Sequence, residues 1–181
     1  MSTTVAPMTV EQFLTLPEEE GVRRELIDGE VITTAWAGQP HEIVKSIFLR
    51  KLGYYLELNP LAWVLGEATY RLGPHDAPVP DVSVVLKGRL QPGHSGLIPI
   101  CPDIAVEVVS SEPAKSLRAK VQLYLQHGAK VVWVAYPELR MISGVHGCGG
   151  AGADRGGAAG GPRCPAWIPR DGLRVFCGSL N

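Results

Sequence analysis

The sequence predicts a mixed α/β fold, a central β-sheet flanked by helices, and three observations carry that prediction. DIAVEVVSS (103–111) and AKVVWVAYP (129–137) are short, almost wholly apolar runs, as expected of strands covered on both faces. Between them PAKSLRAKVQLYLQHG (113–128) is patterned as a helix, so strand, helix and strand follow one another as in a right-handed βαβ crossover. Upstream, a second long helical pattern is followed by two further extended stretches.

With 181 residues, 45% of them hydrophobic and 19% charged, the chain is long enough for one domain with a real core. A net charge of −1 gives the molecule no strong field to draw in nucleic acid. A local basic patch remains open to Arg23, Arg24, Lys45, Arg50, Lys51, Lys115, Arg118 and Lys120. No apolar run reaches the roughly 18 residues of a membrane span and the N-terminus has no signal-peptide core, so no membrane partner and a cytoplasmic location are expected.

Taken in order, TVEQFLTLP (9–17) is a short helix with Thr9 as its cap, Glu11 in its first turn and Pro17 at its end. RRELIDGEVITTAW turns at Asp28-Gly29, the dipeptide of a type I′ hairpin. From His41 to about Leu58, Ile43, Ile47, Leu52, Tyr55 and Leu56 recur at helical spacing until Asn59-Pro60 stops them. AWVLGEATYRL and VPDVSVVLK are extended pieces on either side of the polar loop GPHDAP. A Gly/Pro-rich loop, 88–102, leads to the 103–111 strand. In the helix that follows, Pro113 lies near the start and Gly128 at the C′ end, with Leu117, Val121 and Tyr124 as the stripe expected to face the sheet.

One residue is out of place in this scheme. Glu107 sits inside an apolar strand, and an ionised carboxylate taken from water needs a partner or a proton. Asp81 follows Pro80 at the head of another apolar strand, where a plain turn role is the alternative. Lys120 falls within the inward stripe of the helix, so its ammonium either snorkels to the edge or meets an acid. Two carboxylates and a lysine facing one another suit metal-dependent phosphodiester cleavage. Mg²⁺ takes hard oxygen ligands, and a lysine stabilises charge developing on phosphate. A buried Glu107–Lys120 ion pair with no catalytic role satisfies the same groups.

The blocks RELIDGEVI, GQPHEIVKSIFLRKLGYYL, VPDVSVV, PDIAVEVVSSEP and LRAKVQLYLQHGAKVVWVAYP, in this order over about residues 8–142, resemble the Uma-two family of bacterial endonuclease-like proteins. That family is assigned to the PD-(D/E)xK restriction-endonuclease-like fold. The resemblance implies Asp81 as the PD aspartate, Glu107 as the acid of the second motif, and a cofactor of Mg²⁺ or Mn²⁺. Position 109 is Val where the usual E-x-K lysine stands, and Lys120 matches a lysine moved to the following helix. Glu25 matches an acid that completes the metal shell. His41 matches a histidine opening the long helix, where phosphate contact, capping and packing are its readings. Ser110 and Tyr124 match as supporting or packing residues. Ser116 departs from the acid that many relatives carry four positions before the lysine.

Beyond residue 143 the resemblance fails, and 144–181 reads as a Gly/Ala-rich tail without periodicity. Cys148, Cys164 and Cys177 follow His146, but in no zinc-motif spacing. Cys101 reads as a small buried thiol. The codons of Cys164–Pro169, read one base later, admit V-L-P-G-F, close to the LPGF segment of the family. A frameshift after about residue 140 and a glycine linker are therefore both open, and the gene sequence decides between them. The function expected is metal-dependent hydrolysis of DNA, with a homodimer by analogy; the competing expectation is a non-catalytic binding or scaffold protein that keeps the fold.

Overall fold

Thr9 opens the first element with a reciprocal box. Its Oγ1 accepts from the Gln12 N–H at 3.3 Å, while Gln12 Oε1 accepts from the Thr9 N–H at 2.8 Å. The helix α1 covers only Val10–Leu14, shorter than the predicted 9–17, and its box uses Gln12 rather than Glu11. The computed structural model describes residues 6–147 apart from 91–92, 94 and 111. The tail, with its cysteine grouping from Cys148 onward and its shifted frame, lies outside the described residues.

Strands β1 (Val22–Ile27) and β2 (Glu30–Ala35) pair antiparallel around Asp28-Gly29. Both turn residues have positive φ, 51° and 73°, as a type I′ turn requires. A side chain at Gly29 would also run into Pro7. Helix α2 (Gln39–Leu58) starts two residues before His41, with Pro40 in its first turn and Gly38 as N-cap. His41 therefore does not cap it. Strand β3 (Ala62–Gly66) ends where Glu67 adopts a left-handed φ of 50°, so AWVLGEATYRL is strand only in its first part. Next come β4 (Val82–Leu86), a single 3₁₀ turn at Lys87–Arg89 and β5 (Ile104–Val108). Helix α3 (Ala114–Gln126) leads, through Gly128 at φ 98°, to β6 (Val131–Tyr136) and β7 (Met141–His146).

The sheet runs β3-β4-β5-β6-β7, antiparallel except for the β5–β6 pair, which is parallel and joined across α3. Val44, Phe48 and Leu52 of α2 pack on one face, against Val84, Val106 and Trp133. Tyr124 of α3 packs on the other with Ala105, Val132 and Val134. Cover on both faces is why β5 is buried at all five positions. The β1–β2 hairpin docks through a Leu26–Ala77 bridge and a small core of Val10, Leu26 and Ala77. Cys101 is a buried free thiol, as expected.

Strand β7 was not predicted, and it carries the sheet through Gly144 and Val145, past the change in composition. It is a half-buried edge strand with a glycine in it, so its apolar pattern is thin. Among the described residues no helix is long and apolar enough to cross a membrane.

Asp103, 2% exposed just before β5, ties three elements together. It accepts from the Leu86 N–H at 3.0 Å and pairs with Arg89 at 2.8 Å and Lys130 at 3.1 Å. Burial pushes its carboxyl up, but these partners outweigh burial and hold it below its ordinary 3.8. The resulting stabilisation is present above that value and fades as pH falls through the folded-state pKa. Asp103→Asn is expected to cost about 1–3 kcal/mol at neutral pH and to flatten the acid limb of stability. Urea unfolding of both proteins between pH 7 and pH 3 checks this; parallel curves down the acid limb would contradict it.

Candidate active site

Glu107 stands in the central strand β5, and alternation turns it to the α3 face with Ala105. One turn apart on α3, Lys120 and Tyr124 reach down to it. Lys120 Nζ lies 2.5 Å from Glu107 Oε2, and the Tyr124 hydroxyl donates to Oε1 at 2.9 Å. The side of α3 that is buried is Lys120, Leu123 and Tyr124, with Leu117 and Val121 half-buried beside it. This is a rotation from the expected stripe that centres the lysine. A lysine at position 109 would project to this same face of the strand; Val109 takes that space and Lys120 supplies the amine from above.

Lys120 has a second acid. Glu25 Oε2 is 3.1 Å from Nζ, and Glu25 Oε1 accepts from the Val79 N–H at 2.6 Å. Strand β1 thus brings its own carboxylate to the ammonium of α3. Asp81 precedes β4, whose Val82 pairs with Val106, so one more residue of register sets Asp81 beside Glu107. Asp81 Oδ2 accepts from the Val108 N–H at 2.7 Å and lies 3.1 Å from His41 Nε2. Arg23 Nη1 donates to Oδ1 at 2.9 Å. Asp81, Glu25, Glu107 and Lys120 are each no more than 1% exposed.

This concentration of acids governs the protonation of the cluster. Burial raises Glu107 above the ordinary carboxylate range; Lys120 opposes that, while Asp81, Glu25 and Glu112 add to it. Burial alone would lower Lys120, but Glu107, Glu25, Glu112 and Asp81 hold its proton and raise it. Asp81 is also pushed up by burial, yet His41 and Arg23 outweigh this and keep it ionised far below the usual range. His41 is raised in turn, because Asp81 and Glu42 overcome its desolvation. Tyr124 stays a phenol, raised by burial and by Glu107.

A small cleft opens beside the cluster, lined among others by Arg23, His41, Glu67, Val108, Ser110 and Glu112. Arg23, His41 and Val108 all bond to Asp81, so Asp81 lies directly behind its wall. Ser110 is exposed on that wall rather than packed against Tyr124, because β5 ends at Val108. The expected basic patch does not form as such: Arg23, Lys45 and Lys120 turn to acids, while Arg50, Lys115 and Arg118 stay exposed.

Arg23, Glu67 and Glu112 are the site residues that sequence reading missed. Arg23 had a signal, since it lies two positions from Glu25 and so on the same face of β1. Glu67 is placed by its left-handed backbone, and Lys45 bonds it at 3.1 Å. Glu112 follows a strand end and precedes Pro113, where an acid looks like loop.

The sequence model of Uma2, described as "Putative restriction endonuclease", matches residues 10–148. The chain belongs to the Uma2 family. The crystal structure of "a putative nuclease belonging to DUF820" from Anabaena variabilis superposes with a TM-score of 0.69 at 24% identity, covering 78% of this chain and 81% of that one. At that identity the likeness is one of fold, and the fold is restriction-endonuclease-like. No curated protein matches. In this Uma2 chain Asp81, Glu107, Lys120, Glu25, His41 and Tyr124 meet in one cluster, and Ser110 stands at its edge.

The donor set suits a hard divalent cation. It gathers the carboxylates of Asp81, Glu107, Glu25 and Glu112, and the last two with Asp81 add to the burial that raises Glu107. Among the described residues no three His, Cys, Asp or Glu side chains form a ready cage. Mg²⁺ takes one or two protein carboxylates and fills its shell with water and phosphate. Glu25, expected to complete the shell, gives one oxygen to Val79 and the other to Lys120, just as Glu107 gives its two to Tyr124 and Lys120.

Proposed function

We propose that this Uma2 chain hydrolyses phosphodiester bonds of DNA with Mg²⁺ or Mn²⁺, using Asp81 and Glu107 as ligands and Lys120 as the catalytic cation. The meeting of these three side chains behind one cleft, from three separate elements, is the observation that supports it. A divalent ion supplies a water of lowered pKa and neutralises charge on the phosphate. Lys120, fixed between Glu107 and Glu25, holds its positive charge where negative charge develops. Tyr124 pins the far oxygen of Glu107. His41 keeps its proton through Asp81 on Nε2 and Glu42, 3.4 Å from Nδ1, and sets that positive charge in the wall of the cleft where a phosphate would lie. A homodimer, by analogy with enzymes of this fold, and a cytoplasmic location belong to the same proposal.

The purified chain is expected to cut DNA in Mg²⁺ or Mn²⁺, to stop in EDTA and to recover when either ion is restored. Its affinity should weaken as salt rises. A cooperatively folded protein that cuts no DNA with any divalent ion would overturn the proposal. The competing reading, a scaffold that keeps the fold, draws on the closure of Lys120 between two glutamates. Binding without cutting would establish it.

A further inference from the structure

A second, wider cleft of about 450 Å³ adjoins the first. The two share Trp36, Ala37, His41 and Ser110, so they lie side by side. Its far wall is Tyr136, Pro137 and Leu139. Trp36 stands just past the end of β2 at the border of the two clefts and is 65% exposed. Its volume falls within the roughly 300–1,000 Å³ of small-molecule sites.

Charge tells what this cleft accepts. The narrow cleft sets Arg23 and His41 against Glu42, Glu67 and Glu112, so a phosphate there needs the positive charge of a metal. Among its described lining the wider cleft has one carboxylate, Glu138, and at the border one imidazole, His41, with neither lysine nor arginine. Apart from His41 at the border, nothing in its described lining attracts an anionic backbone. A neutral, flat group attached to the phosphate next door fits both the aromatic wall and the missing cations.

We propose that the wider cleft receives an unpaired nucleobase, stacked on Trp36, adjacent to the phosphate at the Asp81–Glu107 site. This names the substrate class of the nuclease proposed above and rests on that reading. Bases in a duplex present no free face, so the substrate is single-stranded or locally opened DNA. Every base has a π-face, so this contact selects strandedness rather than sequence.

The test is binding of the full chain in Ca²⁺, a hard divalent ion that supplies the positive charge the phosphate needs, with the strands checked for intactness afterwards, to fluorescent oligothymidylate, to the same strand made abasic, and to a duplex of equal length. Oligothymidylate is expected to bind tightest. Trp36→Ala should weaken it about ten- to a hundredfold, Trp36→Phe less than about threefold, and neither should change the abasic strand. The subsite is overturned if Trp36→Ala leaves oligothymidylate within about twofold, if the abasic strand or duplex binds as well, or if no strand binds. Cleavage of oligothymidylate in Mn²⁺, run in parallel, separates the two readings. Cutting without dependence on Trp36 removes the subsite alone, whereas Trp36-dependent binding without cutting supports the subsite and removes the nuclease. Acrylamide quenching of the wild-type emission, less that of Trp36→Phe, reports whether the free cleft is open. An indole shielded at every protein concentration means the chain's own residues fill it, and one shielded only at high concentration means a second copy does. Either result overturns the proposal.

Discussion

Asp81→Asn is expected to lower metal-dependent cleavage about a thousandfold while the protein still folds. The amide oxygen can still accept from the Val108 N–H, so the junction of β4 and β5 keeps its closest tie. What disappears is the negative charge that a metal needs and that Arg23 and His41 now face. Loss of the two charged hydrogen bonds should cost about 2 kcal/mol, a modest share of a stability of about 5–15 kcal/mol. Cleavage rates on a labelled strand, with urea unfolding of the same samples, check both halves. Cleavage within tenfold of wild type in a folded variant would take Asp81 out of the site.

Lys120→Met should have a larger effect on stability. Removing the ammonium leaves Glu107 and Glu25 buried and facing each other without a cation, which costs about 3–5 kcal/mol. Cleavage should vanish as well, but a protein so weakened could lose activity through unfolding alone. The double change Lys120→Met with Glu25→Gln, which leaves the proposed ligand Glu107 in place, separates the causes. Neutral groups of similar size replace the buried pair, so much of the stability should return, while cleavage should not. Thermal unfolding and cleavage assays on both variants read the outcome. Cleavage that recovers along with stability would show that Lys120 serves only the fold.

Much of this architecture was legible because burial writes itself plainly into strands. The runs around Ile104 and Val131 could only be interior, and Glu107 stood out against the first of them for the same reason. Lys120 was legible as a charge on the inward side of a helix, and the family resemblance supplied Glu25 and His41. Other features depend on geometry that side-chain type does not encode. Glu67 reaches Lys45 because of a left-handed backbone angle at a residue that seldom adopts one. Strand β7 is held by its ladder with β6 rather than by a strong apolar pattern of its own. The rotation of α3 that centres Lys120 was within the tolerance of a helical stripe, yet it decides which side chain meets Glu107. Arg23 was counted only as one basic residue among many, although its spacing from Glu25 already placed it.

Lys120 joins a carboxylate from the first hairpin to one from the middle of the sheet, through a helix that follows both in the chain. As synthesis proceeds from the N-terminus, Glu25, Asp81 and Glu107 emerge from the ribosome before the amine that unites them. The nascent polypeptide therefore holds this cluster incomplete for most of its elongation. Any local opening that lifts the hairpin away also strips the amine of one anchor, so loss of integrity at the N-terminal end should silence the centre before the sheet itself melts.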